Sequence, residues 1–332
     1  MARYRGSDHS LVRSPDQPSL LIIMPKTINR REFLTDSALS GAGILLGKNL
    51  IGCSSAGASG ISSFDIMKEV RKYRKIDSNA HINPSTGDAG SLINNADMLG
   101  IEKMLISVPT ETGSLSPQMF IENNDKVIRA VKKYPDRLTG KVTVNPLYQK
   151  ESLEEINRCV NEGLVGLKVF TQVKINDPLY FPVIEKFIDL KMIIQMHGEC
   201  QLGVGGYRMK YDINERPNAS IPEDFADIAR RYPEGMFQFA HIGGGGDVEY
   251  SCKIIKDHPN IFVDISGSNN EDRLVDFCLE YLGEGRILFG TDGSYYQAVS
   301  SIMSSGTTES QKKKIFFDNF FNILKTGGYD FT

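Results

Sequence analysis

From residue 75 to residue 292 the sequence alternates short apolar runs with longer amphipathic segments. The runs have the length and the branched composition of buried strands. In order they are KIDSNAHI (75–82), KMLISVP (103–109), LTGKVTVNP (138–146), GLKVFT (166–171), MIIQMHG (192–198), MFQFAHIG (236–243), IFVDISG (261–267) and RILFGTD (286–292). Segments between them predict helices; PQMFIENNDKVIRAVKKYPDR is one, and SLEEINRCVNEG opens with the Ser and Glu spacing of a capping box.

Eight strands that alternate with helices over about 250 residues predict an α/β fold, a (β/α)8 TIM barrel that forms a single catalytic domain at 75–326. A doubly wound open sheet is the alternative. It is disfavoured because no Gly-x-Gly-x-x-Gly turn follows the first strand.

Polar residues fall at the carboxyl ends of these strands, where barrels of this kind form their active sites. His81 ends the first strand, His197 the fifth and His241 the sixth. Asp292 ends the eighth strand, and Lys168 lies near the end of the fourth. Because a divalent metal binds neutral imidazoles and carboxylates at about 2 Å, the sequence predicts a metal-centred or acid–base site at the barrel mouth.

These features resemble the amidohydrolase superfamily, in the branch that includes aminocarboxymuconate semialdehyde decarboxylase. The motifs that carry the resemblance are FADIARRYPEGMFQFAHIGGGGDVEYSCKIIKDHPNIFVDISGS, RILFGTDGSYY and FFDNFFNIL. The resemblance implies a metal-dependent hydrolase of a small polar or carboxylate-bearing compound, acting through metal-activated water. A metal-dependent decarboxylase of an unsaturated acid is the alternative within the same branch.

The resemblance also implies roles for individual residues. The family's first-strand His-x-His pair falls on Asn79 and His81, so one histidine of the pair is replaced. His197 and Asp292 would complete the metal site, Asp292 would also pass protons, and His241 would act on the substrate. The implied cofactor is one divalent ion, with Zn²⁺ expected, although an amide is a poor zinc ligand. The replacement also leaves open a non-catalytic barrel with a degraded metal site.

Two further regions contribute candidate residues. Some superfamily members carbamylate a fourth-strand lysine, which makes Lys168 a candidate metal ligand. The loop at 198–220 is long and rich in glycine, and we expect it to cover the substrate. In that loop Arg208 offers a planar guanidinium for a carboxylate, with Tyr207 beside it and Glu199 close to the predicted metal. A solvated loop position is the alternative for Arg208.

Residues 1–53 predict an export signal. NRREFL (29–34) and the weakly apolar ALSGAGILLGKNLIG (38–52) resemble a twin-arginine signal peptide, and the apolar part is too short and too rich in glycine to span a bilayer. LIGC (50–53) resembles a lipobox, in which Cys53 receives the lipid, and residues 54–74 form a linker and lead-in. We expect an exported lipoprotein of the periplasm or cell envelope. We also expect translation to start at Met24, so that residues 1–23 come from a misplaced start. A surface helix that carries the two arginines is the alternative.

Charge and cysteine content limit the partners. With 38 basic and 41 acidic residues well mixed, the chain has no basic surface for nucleic acid. The expected partners are a small-molecule substrate and, through the lipid anchor, a membrane surface. The oligomeric state is open, a homodimer being one option.

No Cys-x-x-Cys spacing is present, and the pairing of Cys159, Cys200, Cys252 and Cys278 is open.

Amino-terminal analysis of the exported protein tests the export signal. We expect the mature chain to begin with a lipid-modified Cys53, because the lipobox cysteine becomes the first residue after cleavage. Mass spectrometry of the amino-terminal peptide measures this directly, and a variant with Arg30→Lys and Arg31→Lys should accumulate uncleaved. Recovery of MARYRG from the exported protein would contradict the prediction.

Overall fold

The computed structural model describes residues 65–110, 115–200, 216–242, 246–267 and 271–330. The predicted export signal, Cys53, Tyr207 and Arg208 lie outside the described residues. Among the helices that are described, none combines the length and the apolar character needed to cross a bilayer.

Eight parallel strands occur within the described residues. They are β1 (Ile76–His81), β2 (Lys103–Ser107), β3 (Leu138–Gly140), β4 (Gly166–Val169), β5 (Ile193–His197), β6 (Phe237–Ala240), β7 (Ile261–Asp264) and β8 (Ile287–Leu288). Strands β1 to β3 pair in order, and so do β4 to β8. Val142 N donates to Gly166 O at 2.7 Å and Ser78 N to Phe289 O at 2.8 Å, so the two groups of strands meet at both edges. The sheet closes into the predicted barrel, and the open-sheet alternative is wrong.

Helices follow the strands and pack around the barrel. They are α1 (Ile66–Arg71), α2 (Gly90–Leu99), α3 (Pro117–Lys133), α4 (Gln149–Asn161), α5 (Phe181–Asp189), α6 (Pro222–Arg231), α7 (Val248–Ile255), α8 (Leu274–Leu282), α9 (Tyr295–Ser304), α10 (Glu309–Lys313) and α11 (Asn319–Thr326). Short 3₁₀ turns at Pro178–Tyr180 and Glu284–Arg286 precede α5 and β8, and a π-helical turn, Lys314–Asp318, joins α10 to α11. Helix α3 confirms the helix predicted from PQMFIENNDKVIRAVKKYPDR.

The capping box predicted at Ser152 is wrong. Helix α4 begins three residues earlier, at Gln149, so residue 152 already has helical neighbours on both sides. The Ser152 hydroxyl donates to Asn145 O at 2.7 Å and ties the first turn to the preceding loop. Glu155 accepts hydrogen bonds from Arg158 instead of capping the helix.

Several strands are shorter than the apolar runs that predicted them. His241 does not end strand six but lies just after β6, and Asp292 lies four residues beyond the end of β8 at Leu288. Both have left-handed backbones, with φ of 61° and 48°. Such angles are uncommon for residues other than glycine and persist where surrounding contacts hold the backbone. Hydrogen bonding between the strands therefore ends before His241 and Asp292, where the chain turns.

The barrel interior is polar below its mouth. Lys141, Lys168, Gln195, Gln238 and Asp264 are all fully buried. Lys141 Nζ donates to Ser78 O at 2.6 Å and to the Gln195 side chain. Burial of a polar group is costly unless the group is hydrogen-bonded, so these bonds stabilise the barrel interior directly below the site.

Candidate active site

A cavity of about 440 Å³ opens at the carboxyl ends of the strands. Its lining consists of His81, Pro109, Thr110, Phe170, Thr171, His197, Arg216, His241 and Asp292. The structure therefore brings together the three histidines and the aspartate that the sequence analysis placed at the barrel mouth.

Asp292 and His81 are directly hydrogen-bonded. His81 Nε2 lies 2.8 Å from Asp292 Oδ1, and His81 Nδ1 lies 3.0 Å from Ser107 Oγ. Since a carboxylate only accepts, Nε2 carries the proton of the neutral ring and the Ser107 hydroxyl donates to Nδ1. The backbone N–H of Asp292 donates to Asn79 O at 2.7 Å, which fixes the turn after β8 against β1.

Burial sets the charges of these groups. Desolvation lowers the pKa of His81, and the opposing hydrogen bond to Asp292 offsets this only in part. Desolvation likewise lowers the pKa of His241. For Asp292 burial acts to raise the pKa, but the hydrogen bond from His81 and the charges of His241 and His81 outweigh it and leave the pKa below its ordinary value. At neutral pH the cavity therefore combines neutral imidazoles with an ionised carboxylate.

His197, Glu199 and Arg216 form a second group at the cavity wall. Glu199 is 2 % exposed; its Oε1 lies 3.5 Å from His197 Nε2 and accepts from Arg216 Nη1 at 2.5 Å. Burial acts to raise the pKa of Glu199, but the hydrogen bonds from His197 and Arg216 prevail and lower it. Glu199 thus lies behind the cavity lining and orients the two residues that do line it.

Arg216 was not identified from the sequence. It lies in the same 198–220 loop as Arg208, and the sequence contains no feature that ranks one arginine above the other. In the structure Glu199, two residues after the end of β5, holds the guanidinium of Arg216 at the cavity.

Asn79 and Lys168 lie below the cavity and are fully buried. Asn79 Nδ2 donates to Ser266 Oγ at 3.1 Å, while Asn79 Oδ1 has no hydrogen-bond partner. Lys168 Nζ also has no hydrogen-bond partner and lies 5.3 Å from the centroid of the Phe170 ring. Desolvation lowers the pKa of Lys168, although Asp292 and Asp264 oppose the change.

The donor set has the chemistry of a divalent metal site. No three His, Cys, Asp or Glu side chains among the described residues are close enough to hold an ion as they stand. His81, His197 and Asp292 nevertheless supply two imidazoles and a carboxylate around one cavity. The 2.8 Å between His81 Nε2 and Asp292 Oδ1 is close to the spacing of neighbouring ligands; two ligands about 2 Å from one ion are about 3 Å apart. The unpaired Asn79 Oδ1 is a further oxygen that a cation would satisfy.

Fold and site together define a (β/α)8-barrel enzyme with histidine and carboxylate groups at its mouth. The amidohydrolase family model matches residues 99–321, and the chain belongs to this family. The family match and the relatives below confirm the superfamily branch expected from the sequence motifs.

A curated relative of the chain is a decarboxylase. The chain is 24 % identical over 195 residues to the 2-amino-3-carboxymuconate-6-semialdehyde decarboxylase of Dictyostelium discoideum, and the match covers 51 % of this chain and 54 % of that protein. It therefore spans about half the length of this curated relative.

Solved structures share the fold. The 2,6-dihydroxybenzoate decarboxylase from Rhizobium is 18 % identical, with a TM-score of 0.60 over 76 % of this chain and 99 % of that one. A dihydroxybenzoic acid decarboxylase from a Polaromonas species, solved with manganese and the inhibitor 2-nitroresorcinol, is 19 % identical with a TM-score of 0.59 over 76 % and 97 %.

The bond between Glu199 and Arg216 should stabilise the protein in a pH-dependent way. Because folding lowers the pKa of Glu199, its contribution is present above the ordinary value of 4.5 and is lost as pH falls through the lower folded value. We expect Glu199→Gln to reduce the free energy of unfolding by about 1 to 2 kcal/mol at pH 7, near the lower end for a charged hydrogen bond because Arg216 is partly exposed. Urea unfolding at pH 7 and pH 4 measures this, and the deficit should shrink at pH 4.

Glu154→Gln is the matched control, since Glu154 belongs to an exposed pair with Lys150. It should leave the stability nearly unchanged at both pH values. An equal deficit for Glu199→Gln at pH 7 and pH 4 would contradict an ionic role for this carboxylate.

Proposed function

We propose that the protein is a metal-dependent decarboxylase of a small aromatic or unsaturated carboxylic acid. The observation that carries the proposal is the convergence of neutral histidines, ionised Asp292 and the guanidinium of Arg216 on one cavity. The decarboxylases among the relatives also favour this reaction over hydrolysis, which the sequence motifs had suggested first.

Substrate recognition follows from the cavity wall. Arg216 is the permanently charged cation among the described lining residues, and a guanidinium pairs well with a carboxylate. Phe170 presents an aromatic ring to the same cavity, whose volume of about 440 Å³ suits a single small molecule. An acid with a flat unsaturated or aromatic body fits this combination of charge and ring.

The reaction requires one proton to replace carbon dioxide. A proton is added to the carbon that bears the carboxylate, the bond from that carbon to the carboxylate breaks, and its electron pair returns to the unsaturated system as CO₂ leaves. The proton comes from solvent, and His241 and Asp292, which both line the cavity, are the groups placed to take it up and deliver it to that carbon. The backbone N–H of Asp292, which donates to Asn79 O at 2.7 Å, holds the turn that carries this carboxylate.

The cofactor would be one divalent ion held by His81, His197 and Asp292. When bound, such an ion withdraws electron density from substrate oxygens and fixes their orientation. Manganese in the Polaromonas decarboxylase supports a divalent ion but does not identify the metal of this protein. The hydrogen bond between Arg216 and Glu199 includes none of the proposed metal ligands, so these two residues would orient the substrate whichever ion is bound.

Release of CO₂ from a panel of acids tests the proposal. The panel contains dihydroxybenzoates, carboxylated methoxyphenols and unsaturated dicarboxylic acids, each labelled with ¹³C in the carboxyl group, together with lactones and amides. We expect labelled CO₂ by mass spectrometry from at least one acid, and a loss of about 100-fold or more in kcat for Asp292→Asn, because a proton-transfer group is removed.

Arg216→Lys should instead raise KM by about 10-fold, because the planar guanidinium is lost while a charge is kept. Arg230→Lys is the matched control, since Arg230 forms an exposed pair with Asp227 on α6. Hydrolysis of a lactone or amide with no CO₂ from any acid would overturn the proposed function.

A further inference from the structure

The end of β7 forms a support behind the ring of His241. The support consists of Asp264, Ser266 and Gly267, from a single stretch of four residues. Asp264 Oδ1 accepts from the backbone N–H of His241 at 3.1 Å, and Ser266 Oγ lies 2.8 Å from His241 Nδ1. One short segment therefore holds both the backbone and the imidazole of this residue.

Gly267 provides the space that the ring occupies. Its backbone is left-handed, with φ of 92°, and a Cβ atom there would lie 3.2 Å from both Cβ and Nδ1 of His241. A side chain at position 267 would thus be strained by its backbone and would press on the imidazole. The support is shaped to the ring as well as bonded to it.

Asn79 completes the contacts of Ser266. Its Nδ2 donates to Ser266 Oγ at 3.1 Å, and the Ser266 hydroxyl itself donates to Asp264 Oδ1. Asp264 is an acceptor in every one of its contacts; Oδ2 accepts from the amides of Gln195 and Gln238 at 3.1 and 2.7 Å. The single hydroxyl hydrogen of Ser266 is therefore committed to Asp264.

The position of the proton on the His241 ring follows from the donors and acceptors around Ser266. A serine hydroxyl has one hydrogen to donate and two lone pairs to accept with. Since its hydrogen goes to Asp264 and one lone pair to Asn79, the remaining lone pair faces His241 Nδ1, which must be the donor. Nε2 of His241 makes no hydrogen bond within the described part of the chain.

We propose that Ser266 and Asp264 are positioning residues that place the proton of the neutral His241 imidazole on Nδ1 and leave Nε2 as the proton acceptor facing the cavity. Asn79 belongs to this support. The residue that breaks the His-x-His pattern therefore has a structural partner, Ser266. The proposal rests on the proposed function for its consequence in catalysis, but the tautomer itself does not depend on the substrate.

Long-range ¹H–¹⁵N spectra of the histidine side chains test the proposal. The full chain contains five histidines, so the spectrum is sparse, and His241→Gln assigns the signal. Any paramagnetic metal is first exchanged for Zn²⁺. We expect a neutral ring protonated on Nδ1 in the wild-type protein and a loss of that single tautomer in Ser266→Ala. A ring protonated on Nε2 in the wild type, or an unchanged spectrum in Ser266→Ala, would overturn the proposal.

Kinetics provide the second readout. Ser266→Ala should lower kcat by about 100-fold, because His241 no longer keeps a single tautomer. KM should change little, because Arg216 still binds the substrate. Ser266→Thr keeps the hydroxyl and should restore both the tautomer and much of kcat. Ser152→Ala is the matched control, a buried hydroxyl on α4 bonded to a backbone carbonyl.

The two proposals fail in different ways. An Nδ1-protonated His241 in a protein that releases no CO₂ would refute the decarboxylase function and support the positioning role. An Nε2-protonated His241 in an active decarboxylase would do the reverse.

Discussion

The buried carboxylate of Asp264 connects the barrel interior to the functional site. It accepts hydrogen bonds from Gln195 on β5, Gln238 on β6, and the backbone and side chain of Ser266 just after β7. It also holds the backbone of His241, where the chain takes its left-handed turn. A carboxylate can be buried only when its oxygens are satisfied, so loss of these donors would destabilise the barrel and the site together.

The same interior contains lysines and a carboxyl group whose charged forms are disfavoured by burial. Desolvation lowers the pKa of Lys141 and Lys168, and it raises the pKa of Asp77 to about 6. Asp77 is held by the backbone and hydroxyl of Thr291, directly before Asp292. The hydrogen bonds from Thr291 to Asp77 thus fix the turn that presents Asp292, which links the buried carboxylate of the barrel interior to the position of Asp292.

Much of the fold could be predicted because the sequence patterns that indicate strands and helices are local. The alternation of apolar runs and amphipathic segments indicates the barrel. The histidines at strand ends indicate where the cavity lies. The precise turns could not be predicted, since the left-handed backbones of His241 and Asp292 depend on bonds from distant strands. Arg216 was missed for the same reason, because Glu199 selects it only in three dimensions.

Asn79 shows how a missing motif residue should be interpreted. From the sequence it is a doubtful metal ligand in the place of a histidine, and in the structure its side-chain amide donates to Ser266 and its backbone carbonyl accepts from Asp292. A residue with two such contacts is integrated into the site, which argues against the degraded, non-catalytic barrel.

Metal content of the folded protein tests the central claim most directly. After dialysis, elemental analysis should find about one divalent ion per chain in the wild type and much less in His81→Ala and Asp292→Asn, because each variant removes a ligand. His258→Ala, which changes a histidine between α7 and β7, should retain the ion. A wild-type protein that is active without any divalent metal would contradict the account.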